Sequence, residues 1–131
     1  MCSLSMNPKC TDVFLSCSED NTALFWDLRK EKPASLIPHQ FKGYPSSSAW
    51  SSLDANLIAL GAENGQLAIF DVRNMKLDQS FAMIKSNNGY IRRVEFNPRK
   101  NVIATAAEDC KTQVYKLNNS SVLNESNLEK M

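Results

Sequence analysis

Residues 13–29 read Val-Phe-Leu-Ser-Cys-Ser-Glu-Asp-Asn-Thr-Ala-Leu-Phe-Trp-Asp-Leu-Arg. Two short runs of β-branched, aromatic and small residues, Val13–Cys17 and Ala23–Trp26, flank the polar turn Ser18-Glu19-Asp20-Asn21. Such runs predict an antiparallel hairpin, because Ser, Asp and Asn side chains bond their own backbone and hold the reversal. The layout then returns in residues 59–73, Ala-Leu-Gly-Ala-Glu-Asn-Gly-Gln-Leu-Ala-Ile-Phe-Asp-Val-Arg. It returns again in residues 105–116, Thr-Ala-Ala-Glu-Asp-Cys-Lys-Thr-Gln-Val-Tyr-Lys. Asp20, Asn64 and Asp109 are 44 and 45 residues apart, and Trp26, Phe70 and Tyr115 keep both intervals. Upstream, Met6, Trp50 and Phe96 fall in register as the last apolar residue before a turn, which is Asn-Pro at Asn7-Pro8 and Asn97-Pro98. A period of about 40–45 residues with four strands per unit predicts the blades of an all-β propeller.

Composition sets the frame around the repeat. A chain of 131 residues with 43% apolar and 22% charged residues suits one globular domain. A net charge of +1 supplies no field that would recruit nucleic acid or an anionic membrane. No apolar run reaches the length of a membrane span, and the first residues lack the basic and apolar regions of a signal peptide. Cys2, Cys10, Cys17 and Cys110 form no Cys-x-x-Cys pair and predict free thiols of a reducing compartment, cytoplasmic or nuclear. In that setting the Asn-x-Ser triplets at Asn118, Asn119 and Asn124 carry no meaning.

In chain order, the first blade takes residues 1–39, with strands at Met1–Met6, Val13–Cys17, Ala23–Leu28 and Ala34–Pro38. The second takes residues 46–85, with Ser48–Ser51, Leu57–Gly61, Gln66–Val72 and Gln79–Ile84. Residues 40–47 read as a loop between them. The third takes residues 90–123, with Tyr90–Phe96, Val102–Ala106, Thr112–Leu117 and a frayed strand at Ser121–Leu123. Residues 118–131 turn to Asn, Ser, Glu and Lys and read as a disordered tail. Small residues in Ile58–Ala62 and Ile103–Ala107 suit inner strands crowded between stacked sheets.

The repeat, with Trp26-Asp27 as its eponymous dipeptide, resembles the WD-repeat family over residues 1–117. The resemblance implies a structural motif in each blade, carried by Ser18, Asp20, Trp26, Asp27, Asn64, Phe70, Asp71, Asp109 and Tyr115. In typical members a Gly-His pair precedes the inner strand, and its histidine bonds the turn Asp, a Ser or Thr and the Trp. Here the lone His39 lies too far before Trp50 for that role, and Ala62 and Ala107 stand where Ser18 does. Blades held by packing and strand ladders are expected. Three blades also leave a ring unclosed, which implies a fragment or an assembly. Exposed apolar surface is expected at Leu4, Leu15, Phe25 and Trp26 or at Val94, Val102 and Tyr115, and with it oligomers or aggregation.

No Ser or Cys nucleophile stands by a histidine, and no phosphate loop or metal-ligand cluster occurs in the sequence. The expectation is a non-catalytic scaffold with no cofactor and no metal. Blade one further resembles the WD-repeat subunits of methylosomes. That implies a partner in the type II protein arginine methyltransferase and substrates among histone and Sm proteins. Glu19, Glu63 and Glu108, in acidic turns on one rim, are the candidates for attracting their basic tails. The alternative rests on Arg29 and Arg73. Trp26-Asp27-Leu28-Arg29 and Phe70-Asp71-Val72-Arg73 resemble the Trp-Asp-x-Arg boxes of cullin-type ubiquitin ligase receptors. The competing reading is that each arginine caps its strand or pairs with Asp27 or Asp71. Arg92-Arg93 and Arg99-Lys100 are too few for a nucleic-acid track.

Overall fold

A computed structural model describes residues 3–32, 34–37, 41–52, 57–71, 82–100, 102–117 and 128–130. Among them are three four-stranded antiparallel sheets and no helix. The first sheet runs β1 (Ser3–Met6), β2 (Val13–Cys17), β3 (Ala23–Asp27) and β4 (Ala34–Leu36). The second runs β5 (Pro45–Trp50), β6 (Leu57–Ala62), β7 (Gln66–Asp71) and β8 (Ala82–Lys85). The third runs β9 (Ile91–Phe96), β10 (Val102–Ala107), β11 (Thr112–Leu117) and β12 (Leu128–Lys130). Each sheet pairs its strands in sequence order. The central hairpins share one register, with Leu15 opposite Phe25, Ala59 opposite Ile69 and Ala104 opposite Val114. The repeat seen in the sequence is therefore a repeat of hydrogen-bond ladders.

Several strand ends differ from the sequence reading by one or two residues, and two differences go further. The outer strand of the third sheet is Leu128–Lys130, which places Leu128 opposite Leu117 and Lys130 opposite Tyr115. The frayed strand expected at Ser121–Leu123 lies outside the described residues, and the tail ends in a paired strand. An outer strand needs only one ladder of backbone bonds, so polar composition does not forbid it. The second correction is that β5 begins at Pro45 instead of Ser48. Its serines look like loop composition but sit buried between sheets. Ser46 Oγ donates to the Ile91 carbonyl at 2.7 Å, Ser47 Oγ accepts from the Val94 N–H at 3.1 Å, and Ser48 Oγ meets Ser3 Oγ at 3.0 Å. Small hydroxyls fit the crowded inner strands and bond the sheets on either side.

The second sheet packs between the other two. One apolar layer joins Val13, Leu15 and Cys17 of the first sheet to Trp50, Ile58, Leu60 and Phe70 of the second. The other joins Ala49, Leu57, Ala59 and Ile69 of the second to Ile91, Val94, Ile103 and Tyr115 of the third. Small residues are required between them: a Cβ on Gly61 would come within 2.7 Å of Ile91 Cγ2. This stacking corrects the expected exposure. Leu15, Val94 and Tyr115 are buried, because their strands turn those side chains toward the second sheet. Trp26 is half-buried and stacks on Phe14 with ring centroids 5.5 Å apart. Its partners in the repeat, Phe70 and Tyr115, are buried against a neighbouring sheet. Cys10, Cys17 and Cys110 are free thiols; Cys2 and His39 lie outside the described residues.

The hairpin turns share a backbone feature that residue types only partly reveal. Asn21, Gly65 and Cys110 all adopt positive φ, at 70°, 89° and 64°. The left-handed conformation is open to Gly, tolerated by Asn and strained for Cys. At Gly65 space is also absent, since a Cβ would lie 1.9 Å from the Asn87 carbonyl oxygen. Gly65→Ala is expected to lower stability by about 2–3 kcal/mol, combining the left-handed penalty with that clash. Cys110→Gly should change it by less than about 1 kcal/mol, because relief of strain offsets a freer unfolded chain. Urea titrations of both variants check the contrast.

Candidate functional site

The three hairpin turns and the segments entering the inner strands form one rim of the molecule. Each turn is locked by its second acid or amide. Asp20 Oδ1 accepts from the Thr22 N–H at 3.0 Å, Asn64 Oδ1 from Gln66 at 3.2 Å and Asp109 Oδ1 from Lys111 at 3.0 Å. These bonds favour the charged form of the aspartates. Donation by Thr22 holds Asp20 below the usual carboxylate value, and the Asn88 N–H leads the same effect at Asp109.

In the third blade the lock extends inward as a chain of hydrogen bonds. Asn88 donates its backbone N–H to Asp109 Oδ2 at 2.9 Å, and the Asn87 amide donates to the Asp109 carboxylate and the Lys111 carbonyl. Thr105 Oγ1 donates to Asn87 Oδ1 at 2.9 Å, Ser86 Oγ meets Thr105 Oγ1 at 2.9 Å, and Tyr115 donates its hydroxyl to Ser86 Oγ at 3.1 Å. Ser86, Asn87 and Thr105 are all buried. Asn87 takes the place that the histidine holds in the family pattern, since an amide also donates on one side and accepts on the other. In the third blade this overturns the expectation that packing and strand ladders hold the blades more than such a network does. In the first blade it shrinks to Trp26 Nε1 donating to Ser16 Oγ at 2.9 Å. In the second, buried Leu60 and Phe70 make it apolar. Ser18, expected to supply the hydroxyl, instead accepts from Asp20 within the turn.

Sequence reasoning missed Ser16, Ser86, Asn87 and Thr105. The signal was present in one column: Ser16, Leu60 and Thr105 keep the intervals of 44 and 45 residues. Ser86 and Asn87 gave no such signal, because a turn-forming Ser-Asn-Asn-Gly explains itself locally.

The entering segments clasp the turns through backbone bonds, Glu63 N–H to the Tyr44 carbonyl at 3.0 Å and Glu108 N–H to Tyr90 at 2.9 Å. That clasp brings aromatic and charged side chains together. Tyr44 and Tyr90 meet edge to face with centroids 6.0 Å apart. The Arg92 guanidinium lies 4.6 Å over the Tyr90 ring and pairs with Glu108. Glu63 folds across Gly43, where an added Cβ would meet its carboxylate at 2.5 Å. Glu19 is exposed at the first turn. Of the candidate acids, Glu63 and Glu108 thus flank the tyrosine pair, Glu19 stands apart, and Asp20 and Asp109 are occupied by their turns.

Asp27 and Arg29 lie at the opposite end of the strands. Arg29 grips Asp27 through Nε to Oδ1 at 2.9 Å and Nη2 to Oδ2 at 3.0 Å, and its backbone N–H adds a third bond. Donation by the Arg29 side chain holds the Asp27 carboxyl below its usual value. The arginine caps the strand from which it emerges. Asp71 is buried, and Arg73 lies outside the described residues.

A family profile described as "WD domain, G-beta repeat" matches residues 2–27, and one described as "Anaphase-promoting complex subunit 4 WD40 domain" matches residues 48–131. The chain belongs to the WD40-repeat family. It is similar to "Methylosome protein WDR77" of Xenopus laevis, 32% identical over 104 residues, which is 78% of this chain and 30% of that protein. It is similar to "Protein SOF1" of Saccharomyces cerevisiae, 27% identical over 116 residues, 88% of this chain and 23% of that one. The chain thus spans less than a third of the length of either relative. A chain of a structure titled "Crystal Structure of Mitotic Checkpoint Complex" superposes with a TM-score of 0.78 at 17% identity, covering 99% of this chain and 37% of that one. That likeness concerns the propeller fold alone.

Two outcomes test the locks. Thr105→Val should cost about 1–3 kcal/mol, because Asn87 and Ser86 lose a buried partner; chemical denaturation measures it. The three aspartates have folded values lowered below the ordinary one, so they contribute stability above the usual carboxylate range and lose it as pH falls through the lowered values. Asp109→Asn should therefore be less stable than wild type at neutral pH. The gap should close on acidification, as read by thermal melts across pH.

Proposed function

We propose that this WD40 protein is a non-catalytic scaffold that binds a type II protein arginine methyltransferase and helps present arginine-rich substrates of the histone and Sm classes. The observation that carries the reading is the 32% identity with the Xenopus methylosome protein over most of the chain. The rim supports it chemically. Tyr44 and Tyr90 offer aromatic faces between two blades, flanked by the carboxylates of Glu63 and Glu108, and Arg92 already occupies one ring face. Guanidinium groups favour that combination of ring face and carboxylate. Arg29 holds its fork on Asp27, which gives the ligase-receptor alternative less support.

Affinity capture with the methyltransferase and with a cullin adaptor propeller, in parallel, separates the two readings. Retention of the methyltransferase alone supports the proposal, and retention of the adaptor alone rejects it. For the substrate face, Glu19→Lys with Glu63→Gln is expected to weaken an arginine-rich histone peptide about tenfold at low salt, each substitution contributing roughly 0.5–1 kcal/mol. The salt dependence of binding should flatten. Unchanged affinity in fluorescence anisotropy would reject this rim as the peptide site.

A further inference from the structure

The dipeptide Asn-Gly occurs in the sequence at Asn64-Gly65 and at Asn88-Gly89, and the fold treats the two places in opposite ways. The pairing carries a chemistry of its own. The side-chain carbonyl carbon of an asparagine lies within reach of the next residue's backbone nitrogen, and attack there is least hindered when that residue has no Cβ. Closure needs a side chain that can swing onto the nitrogen and an N–H that is not engaged. Hydrogen bonds to either group therefore hold the reaction back until the segment opens.

In the hairpin turn of the second sheet both groups are engaged. Asn64 Oδ1 accepts from the Gln66 N–H at 3.2 Å, and Asn64 Nδ2 donates to Gln66 Oε1 at 2.7 Å. The Gly65 N–H donates to the Ala62 carbonyl at 3.1 Å, and the Gly65 carbonyl accepts from Ser86 and Asn87 at 2.9 and 3.1 Å. In the segment between the second and third sheets neither group is engaged. Asn88 is exposed, and among the described residues its side-chain amide has no hydrogen-bond partner and the Gly89 N–H no acceptor. The Asn88 backbone is anchored instead, its N–H donating to Asp109 Oδ2 at 2.9 Å. That bond steadies the main chain and leaves the amide able to rotate onto the Gly89 nitrogen.

We propose that Asn88 is a modification site, converting spontaneously to aspartate and isoaspartate while Asn64 stays intact, and that the change loosens the rim at the third sheet. The Gly89 nitrogen gives up its proton and bonds to Asn88 Cγ. The Cγ–Nδ2 bond breaks, and the amide nitrogen takes up a proton and leaves as ammonia. Water then opens the cyclic imide at one of its two carbonyls. One opening leaves aspartate; the other leaves isoaspartate, whose main chain runs through the former side chain and is longer by one carbon. Either product puts a negative charge on a residue whose backbone holds the Asp109 carboxylate, and like charges repel. The lengthened chain also lies directly before Tyr90, whose carbonyl takes the Glu108 N–H at 2.9 Å and whose ring carries Arg92. The clasp between turn and entering segment thus loses its register.

Peptide mapping by mass spectrometry tests this on the folded chain held in warm, mildly alkaline buffer, beside the same chain unfolded in urea and the Asn88→Gln variant. Glutamine closes the corresponding larger ring far more slowly. In the folded chain the peptide holding Asn88 is expected to gain the mass of an amide-to-acid conversion and to accept the methyl label of an isoaspartyl methyltransferase. It should do so at least about tenfold faster than the peptide holding Asn64, since each hydrogen bond that must open there lowers the reactive population severalfold. In urea the two rates should converge, because the fold is what distinguishes the sites. After the incubation the wild type should melt at a lower temperature than before, and Asn88→Gln should melt unchanged. An Asn64 that reacts as fast as Asn88 in the folded chain would overturn the inference, as would an Asn88 that converts only in urea. Conversion at Asn88 with no change in melting would overturn the loosening of the clasp.

Discussion

Burial of the second sheet on both faces is the constraint from which the rest follows. Every described residue of β5 and β6 is buried, whereas β1 alternates between half-buried and exposed and half of β9 is exposed. A sheet covered on both sides cannot carry bulky residues at its tightest points, so Gly61, Ala59 and Ala62 occur where the first sheet has Cys17, Leu15 and Ser18. It also cannot leave polar groups unanswered. Its serines therefore bond across to the neighbouring sheets, Ser46 and Ser47 to the third and Ser48 to the first. Buried hydroxyls of this kind fix the angle at which one blade meets the next, because an unsatisfied group would cost more than the bond contributes.

The three blades solve one structural problem with three chemistries. Each must tie its hairpin turn to the segment entering its inner strand. The third does so with a buried polar chain from Asp109 through Asn87, Thr105 and Ser86 to Tyr115. The second replaces the chain with Leu60 and Phe70, both fully buried, and ties its turn to its entering segment through the Glu63 N–H and the Tyr44 carbonyl. The first, among the described residues, keeps the Trp26–Ser16 bond on its outer face. The strength of the lock thus follows the surroundings: a hydrogen-bond chain between sheets must be complete or absent, while a partly solvated face tolerates a fragment of it.

The fold was legible because it is a periodic property. Intervals of 44 and 45 residues survive substitution at any single position, and the hairpin registers they predict match in all three sheets. What escaped was local and contextual. Ser46 and Ser47 read as loop because composition carries no information about a sheet lying opposite. The strand at Leu128–Lys130 escaped because an edge needs backbone more than side chains. The candidate rim was legible in its acids and not in its aromatics. Tyr44 and Tyr90 lie 46 residues apart in connecting segments, and only the clasp to Glu63 and Glu108 brings them together.

Position in the stack decides which repeat residues can act on a partner. Asp20, Asp27 and Asp109 satisfy the family pattern and are held by their own turns or by Arg29, so their charge is largely spent inside the chain. Glu19, Glu63 and Glu108 each precede the turn-locking residue; Glu19 is exposed, Glu63 lies across Gly43 and Glu108 pairs with Arg92. A residue adjacent to a conformational lock inherits a fixed backbone, which lowers the entropy lost on binding. The same logic separates the two ends of the strands. Arg29 has a carboxylate within its own turn and is used up there, whereas Arg92 must cross to Tyr90 and Glu108 and so joins two elements of the rim. An incoming guanidinium at the rim would meet a surface already arranged around one, with the second ring of the pair, Tyr44, set at its edge.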